Sequence, residues 1–562
     1  MISSHNRTAL TVVAMGIALR AAYCVRQGPP AGDELMLAMN VAARGYAELM
    51  RPLDYGLVAP IPFLWAQRLV VDTFGVCDTG PRVIPFLAGS LTLVVLWRLV
   101  TGWLASLEAL AALALAATSP FLIQYSAEGK PYALDGLASV VVAAAAIDLL
   151  GRATDGRAWG RMAMAGSAAL LVSITSPMVL APVTIVLVSV AWPDGSRGRL
   201  RLVAMGALWG VIFTAVYLGV YHAVETTPYM QQYWSAAMLS PGPRWAVRWA
   251  SGVREALWPV SYWTVQAGAW WLVLLACAAG ALILFRRFGW RPALVLAGPI
   301  VTVFLASAAG RYPMATRLLL FVAPLFIVLA AVGVAAAARG LRRVVPSVRE
   351  GLAVGAIMAP SFLVAFAWLI RAPQDHQGLP ELISQLERRW SPGEPVYVFH
   401  RVAVEWTYFT TDWGQPDRAR LAWVARIAGP SGPAFVNAPP RGPRHEGEGN
   451  DLVYRVRGRD ELFGLASGVQ GRAWLALDPR DLPDWQVSPD SGWAQVEAAR
   501  LRRAATSRAW AVFNTDSPGR EIGELLAAIG RAGGAVESRR RSGSATLYSL
   551  RFDVAGAPAA HP

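Results

Sequence analysis

Long apolar runs alternate, over the first two thirds of the chain, with short segments that carry most of the charge. Runs near 8–27, 83–100, 104–125, 131–151, 160–175, 177–192, 202–222, 268–286, 292–309, 316–338 and 350–371 predict helices that are apolar nearly all round. A helix crosses the roughly 30 Å hydrocarbon core of a bilayer with about 20 residues, so the pattern predicts about eleven membrane spans. Ser173-Ile-Thr-Ser-Pro177 reads either as a hairpin between two of them or as a kink. Two long intervals, 28–82 and 223–267, remain as loops. In the first, Gly32-Asp33-Glu34 opens a stretch with apolar residues at helical spacing and few charges, which predicts an amphipathic helix lying in the membrane interface.

The pattern changes after residue 371. Gly378 to Arg389 has helical period, Val396 to Phe399 reads as a strand, and Ala509 to Phe513 precedes an amphipathic stretch, Glu521 to Arg531, and two β-like runs, 535–539 and 545–552. Strand, helix, strand order predicts a small α/β domain. The Pro-, Gly- and Arg-rich segment 429–450 predicts a loop or insertion. The expected organisation is a transmembrane domain over 1–371, with outer loops at 28–82 and 223–267, and an extracytoplasmic α/β domain over 372–562.

Composition decides between classes. With 55% hydrophobic and 16% charged residues the chain is too apolar for a soluble globule. A net charge of +14 would suggest nucleic acid for a soluble domain, but here much of the arginine sits in short loops between spans. Positive charge there sets topology, so nucleic acid is set aside as a partner and membrane lipid takes its place. The loops with Arg152, Arg157 and Arg161, with Arg197, Arg199 and Arg201, with Arg286, Arg287 and Arg291, and with Arg339, Arg342, Arg343 and Arg349 all fall on one side, which becomes the cytoplasm. With the N-terminus also inside, an odd number of spans puts the two long loops and the last 190 or so residues outside. The first run lacks a small-residue cleavage site and reads as a retained signal anchor. Cys24, Cys77 and Cys277 have neither the number nor the spacing of a disulfide framework or a zinc site.

The unusual residues collect in the outer loops. Lys130 is the only lysine among 51 basic residues. It lies in Tyr125-Ser-Ala-Glu-Gly-Lys-Pro-Tyr-Ala-Leu-Asp135, between two spans. A compact ammonium beside a helix that Pro131 would start makes an anion site; chance survival of one lysine in an arginine-rich chain is the plainer account. Glu128, Tyr132 and Asp135, at i, i+4 and i+7, would form one polar stripe at the outer end of a span, where ionisable groups need a cavity or a partner. A surface pair of Lys130 with Glu128 or Asp135 would also explain them. Asp33 and Glu34 at a helix start fit simple capping and dipole complementation, or a general base whose proton affinity rises at the membrane surface. Arg311 and Arg317 flank a turn in which Thr316 would cap the next span, as snorkelling arginines or as phosphate contacts. The 223–267 loop is dense in aromatics (Tyr229, Tyr233, Trp234, Trp245, Trp249, Trp258, Tyr262 and Trp263) and reads as an interfacial belt whose faces can also stack on sugars. His400 reads as a surface residue.

Taken in order, Gly32-Asp33-Glu34, Pro52-Leu-Asp-Tyr-Gly-Leu-Val-Ala-Pro-Ile-Pro62, Pro81-Arg-Val-Ile-Pro85 and Tyr125 to Asp135 resemble bacterial family-39-type glycosyltransferases of the GT-C superfamily. That group includes protein O-mannosyltransferases, aminoarabinose transferases of lipid A and rhizobial galacturonosyltransferases of lipopolysaccharide core. The likeness covers most of the membrane portion. It reaches less sharply into the tail, where Pro392-Gly-Glu-Pro-Val-Tyr-Val-Phe399 looks like the strand opening the family's outer domain.

The resemblance implies a GT-C fold and roles for individual residues. Asp33 would be the catalytic base and Glu34 its support. Lys130 would contact the donor phosphate, Arg317 would stand where the family has an arginine after Tyr-Pro, and Tyr55, Glu128, Tyr132, Asp135 and Arg311 would complete the substrate site. The sequence departs from the family at Ala315-Thr316, where relatives often carry glycines, which weakens the phosphate role of that loop.

Nucleotide sugars are absent outside the cytoplasm, so the implied donor is a polyprenyl-phosphate-linked sugar and the implied acceptor an extracytoplasmic glycan, lipid or protein. The expected location is a bacterial inner membrane with the active site outside. No cofactor is fixed by the sequence; some relatives bind a divalent cation near the acidic pair, no His/Cys cluster supports one here, and a divalent cation stays open. A lipid or glycan transporter or flippase shares many spans and buried charge, but it would put charges near the midplane in paired repeats, and no internal repeat is evident. A polysaccharide polymerase or ligase is the nearer alternative, and a non-catalytic scaffold a third.

Overall fold

The computed structural model describes residues 4–222, 233–239, 242, 244–347, 349–371, 378–391, 394–399, 402–416, 418, 421, 451–456, 459–466, 493–505, 507–514 and 519–552. The chain divides into two compact units. One comprises Met1–Gln27, Ala59–His222 and Gln231–Pro373, the other Gly28–Val58, Ala223–Met230 and Gln374–Pro562. The first outer loop is thereby shared: 28–58 group with the C-terminal residues and 59–82 with the helices.

The first unit is helical. Seven of its helices, Asn6–Arg26, Gly80–Trp103, Tyr132–Gly151, Gly195–Tyr221, Trp270–Phe288, Trp290–Ala308 and Ala323–Val344, are long and apolar enough to cross a membrane. Ser106–Thr118, Ser176–Ala191 and Glu350–Pro360 are apolar but shorter. Every expected span meets a helix, yet a count of eleven crossings does not follow, because polar punctuation shortens several. The run 104–125 breaks at Pro120, which lacks an N–H to continue a helix, while the Ser119 hydroxyl accepts the Leu122 N–H at 3.4 Å and caps a new short one, Pro120–Gln124. Ser173 to Thr175 forms a turn between Gly156–Val172 and Ser176–Ala191, which resolves the hairpin-or-kink alternative as a turn between two helices. The span expected from 316 begins only at Ala323, after a single 3-10 turn, Thr316–Leu319. Ile61–Phe74 is a helix the apolar pattern did not predict, started by Pro62 in its first turn.

Two features hold the helices. Trp270–Phe288 and Ala323–Val344 pair backbone to backbone. A Cβ on Gly280 would lie 1.9 Å from the Leu329 oxygen, and one on Gly333 2.0 Å from the Ala276 oxygen, so only glycine permits the approach. Glu108 is fully buried and meets Arg287 and Arg339 at 2.9 Å each. A carboxylate taken out of water persists only with such compensation.

The second unit contains a six-stranded mixed sheet: β1 (Val396–Val398), β2 (Asp451–Val456), β3 (Arg459–Ala466), β4 (Arg508–Asn514), β5 (Gly534–Ser542) and β6 (Ala545–Phe552), in the order β2-β3-β1-β4-β6-β5. β1 runs parallel to β3 and β4, and the remaining pairs are antiparallel. Tyr397, Phe513, Tyr548 and Leu550 pack with Ala498 and Leu501 of helix Trp493–Ala504 and with Leu525 and Ile529 of helix Gly519–Arg531 to form its core. The predicted elements emerge with shifts of a few residues: Leu379–Arg389, Val396–Val398, Arg508–Asn514, Gly519–Arg531, Gly534–Ser542 and Ala545–Phe552. The β2–β3 hairpin was not predicted, because its charged residues hide the alternation. Segment 429–450, His400 and Tyr229 lie outside the described residues.

Candidate functional site

In the helical unit, the site is built on the break at Ser119-Pro120. The short helix Pro120–Gln124 leads into a turn carrying Tyr125, Glu128 and Lys130, and the next helix begins at Tyr132 with Pro131 preceding it. Pro131 thus caps that helix instead of occupying its first position. Glu128 lies before the helix, not on it, so Glu128, Tyr132 and Asp135 do not form one helical stripe. Lys130 is buried, at 6% exposure, and its N–H donates to the Glu128 carbonyl at 2.6 Å. Glu255 of helix Trp245–Leu257 binds the 316–319 turn through Thr316, and Phe121 bridges Tyr125 of the lysine turn to Trp258, the residue that follows that helix.

Aromatic rings line the same turn. Tyr125 meets Tyr132 edge-on at 5.4 Å, and Phe121 contacts Tyr125, Trp258 and Tyr262 with centroids 6.0 to 6.5 Å apart. Arg254 stacks on Trp258 at 4.7 Å, and Arg317 lies over the Trp234 ring at 5.4 Å. The arginine expected to contact phosphate therefore already has an aromatic face beneath it, which restricts its rotamers. The aromatics of 223–267 divide in consequence: Trp249 and Trp258 pack against the core of the unit, and Trp245 stays exposed as a belt residue would.

Asp135 has a different environment. Its carboxylate accepts the Ser173 hydroxyl at 2.6 Å, with Thr175 beside it. The side chain thereby ties helix Tyr132–Gly151 to the turn at Ser173. Arg311 is exposed, and its N–H bonds the Ala306 carbonyl at 2.9 Å. Thr316 does not cap a helix. Its N–H, at 3.1 Å, and its hydroxyl both donate to Glu255, which clasps the Arg317 turn. Glu255 escaped the sequence reading because a lone acid among arginines and tryptophans has no motif around it.

In the α/β unit, Asp33 and Glu34 lie in the first turn of helix Gly32–Ala43, whose N-cap, Ala31, supplies no side-chain bond. Negative charge there complements the helix dipole. Glu34, Leu35, Leu37, Ala38, Met39, Asn40, Val41 and Ala42 are buried, so this is an enclosed helix and not an amphipathic helix on a membrane surface. It packs against helix Ala403–Thr410 of the same unit.

A polar staple joins this helix to the motif Pro52-Leu-Asp-Tyr-Gly56. The Asp54 N–H donates to Asn40 Oδ1 at 2.9 Å, and Asn40 Nδ2 donates to the Met36 and Asp54 carbonyls at 2.9 and 3.4 Å. Arg44 donates to the Pro52 carbonyl at 2.9 Å and pairs with Asp54 at 2.8 Å. Between these anchors Tyr55 holds φ +65°, a left-handed backbone that costs a non-glycine residue about 1–3 kcal/mol. Its buried hydroxyl touches the Met39 sulfur at 3.8 Å. Burial first, then the charges of Asp54 and Glu405, push the Tyr55 phenol well above the usual tyrosine range, so it stays protonated. Asn40 and Arg44 were also missed, since neither residue type at that spacing signals anything until the 52–56 loop folds back.

No group of three or more His, Cys, Asp or Glu side chains placed to hold a metal ion occurs among the described residues.

With this geometry in view, comparison with known proteins is informative over part of the chain. Residues 58–229 match the family model of dolichyl-phosphate-mannose-protein mannosyltransferases. The matched stretch contains Glu128, Lys130, Tyr132 and Asp135; Asp33, Glu34, Tyr55, Arg311 and Arg317 lie outside it. No curated protein matches the chain by sequence. Among solved structures, the chain is similar to ArnT from Cupriavidus metallidurans bound to undecaprenyl phosphate, at 13% identity and TM-score 0.49, covering 96% of this chain and 97% of that one. It is also similar to the Archaeoglobus fulgidus oligosaccharyltransferase in its apo form, at 12% identity and TM-score 0.48, covering 93% and 71%. The same organism's AglB with an inhibitory peptide and a dolichol-phosphate gives 11% identity and TM-score 0.45, covering 97% and 74%. At these values the structural likenesses say nothing about chemistry. The resemblance read from the sequence motifs agrees with the family match over residues 58–229, and the expected fold of a helical portion rich in apolar spans with a separate α/β portion is what the structure has. Nothing in the comparisons fixes the number of spans at eleven.

Proposed function

We propose that the protein transfers a sugar from a polyprenyl-phosphate carrier to an acceptor hydroxyl on the outer face of a bacterial inner membrane, with inversion at the anomeric carbon. The observation that carries this reading is the buried Lys130 in the turn that also carries Tyr125 and Glu128, within the segment that matches the mannosyltransferase family. A compact ammonium held just before a helix start suits the phosphate of a lipid arriving from the membrane.

Asp33 takes the proton from the acceptor hydroxyl while that oxygen forms its bond to the anomeric carbon. The bond from that carbon to the phosphate oxygen breaks, and its electron pair leaves with the polyprenyl phosphate. Lys130, with Arg317, stabilises the negative charge that builds there. Electrostatic stabilisation of that kind is worth about 3–4 kcal/mol per well-placed donor, and general base catalysis about 10²–10⁴-fold. No metal is required by these steps.

Purified protein in lipid nanodiscs, given candidate polyprenyl-phosphate sugars and envelope extract as acceptor, tests the assignment. Asp33→Asn is expected to lower kcat by about 10²–10⁴-fold with donor affinity retained. Lys130→Ala is expected to weaken the donor. Full turnover by Asp33→Asn would remove the base, and unchanged donor affinity in Lys130→Ala would remove the phosphate role.

A further inference from the structure

Arg20 is a buried cation inside the first span, exposed to 1%, in helix Ser4–Arg26. Its guanidinium donates to the carbonyls of Ala116 at 3.0 Å and Ala117 at 3.2 Å, and to its own helix at Gly16, 3.0 Å. Those of Ala116 and Ala117 belong to the last turn of helix Ser106–Thr118, whose carbonyls have no partner within their own helix because Pro120 ends it. No carboxylate pairs with Arg20 among the described residues, and its Nε is buried without a hydrogen bond. A charge this costly in a span is kept for a reason.

The packing around it converges on the lysine turn. A Cβ on Gly16 would lie 2.8 Å from the Ala117 Cβ, so glycine lets the first helix reach that carbonyl end. A Cβ on Gly89 would lie 2.0 Å from the Ser126 hydroxyl and 3.5 Å from Arg20 Nε, so Gly89 leaves room for the turn that begins at Ser126. Ser119, at the break, donates to the Pro259 carbonyl at 2.7 Å, and Ser126 donates to the Leu122 carbonyl at 2.5 Å. The fixed points along 116–126 precede Lys130 by 4 to 14 residues in the same continuous segment.

We propose that Arg20 is a positioning residue for the reaction: it fixes the exit direction of helix Ser106–Thr118, and with Gly89 sets where the Lys130 ammonium stands for the donor phosphate. This rests on the reading of Lys130 as the phosphate contact. A helix clamp alone would stabilise the fold without favouring a charged ligand.

The test separates the two by the headgroup. Full-length protein in nanodiscs is titrated with undecaprenyl phosphate and with undecaprenol, which lacks the phosphate, and the ratio of the two affinities is compared across variants. Lys130→Ala is the reference, and it must lower the ratio. Arg20→Gln and Gly89→Ala are each expected to lower the same ratio about tenfold, the order of one charge-assisted hydrogen bond, while undecaprenol affinity holds. Arg20→Lys, which keeps one donor but not the fork, is expected between them and wild type. Arg20→Gln added to Lys130→Ala should lower it no further. If Lys130→Ala lowers the ratio and Gly89→Ala and the folded Arg20 variants leave it at the wild-type value, Arg20 is a structural clamp and the proposal is overturned. If Lys130→Ala itself leaves the ratio unchanged, the phosphate reading fails first and the proposal falls with it. Should Arg20→Gln not fold, Gly89→Ala and Arg20→Lys decide the outcome.

Discussion

Replacing Asn40 by alanine tests the staple that presents the Pro52 to Gly56 motif. Asn40 is 2% exposed, and its Oδ1 is the acceptor for the Asp54 N–H at 2.9 Å. Alanine leaves that amide unpaired, at a cost of about 1–3 kcal/mol. Of the two bonds from Nδ2, the one to Asp54 is long at 3.4 Å, and Met36 sits in the same helix one turn earlier, so together they add about 0.5 kcal/mol. Arg44 still holds the Pro52 carbonyl and the Asp54 carboxylate, so the loop should fray, not detach. Tyr55, relieved of one anchor, can relax from its left-handed backbone. Local opening of 54–56 should become roughly 10- to 300-fold more populated, at 1.4 kcal/mol per decade. Hydrogen exchange read by mass spectrometry on a peptide spanning these residues measures that population directly. Wild-type exchange over 54–56 in a folded Asn40→Ala protein would refute the view that Asn40 holds the motif in its strained form.

Other predictions follow from close approach and from titration. Gly280→Ala or Gly333→Ala forces a Cβ into a facing carbonyl, so either should lower stability in detergent by about 1–3 kcal/mol or more, read as a lower thermal midpoint. An unshifted midpoint would mean the two helices separate at no cost. Glu48 accepts the Gly45 N–H at 2.9 Å and Arg418 at 2.8 Å, and the Gly45 bond first, then the arginine, holds its carboxyl below the ordinary 4.5. Glu537 is likewise lowered, by the Ser549 and Arg508 bonds. A depressed carboxyl adds stability that is present above its unfolded value and is lost as pH falls through the folded one. The α/β unit should therefore weaken on acidification below about 4.5, and Arg508→Ala should flatten that dependence in a pH-resolved melt.

Much of the fold was legible before any coordinates because a bilayer imposes one-dimensional rules. Uninterrupted apolar length predicts helices in the first two thirds, and short apolar or β-like runs such as 509–513 and 545–552 predict strands in the last third. The Lys130 turn stood out for a similar reason: an ammonium between two spans is costly and conspicuous. The extent of the spans was less legible. Proline and serine at 119–120 and the turn at 173–175 stop helices in ways that hydropathy averages over, and the residues after Arg317 spend one 3-10 turn before the long helix starts.

Chain chemistry alone decided the class of molecule, the helical segments and the candidate groups Asp33 and Lys130, because hydrophobicity and charge act on each segment wherever it ends up. Tertiary structure alone decided that Gly32–Ala43 is an enclosed helix, that Asp135 answers to Ser173, that Glu255 holds Thr316, and that Arg20 meets the carbonyls of Ala116 and Ala117. Those partners are separated by 38, 61 and nearly 100 residues. A hydrogen bond depends on distance in space, and no local pattern encodes which distant backbone will come within 3 Å.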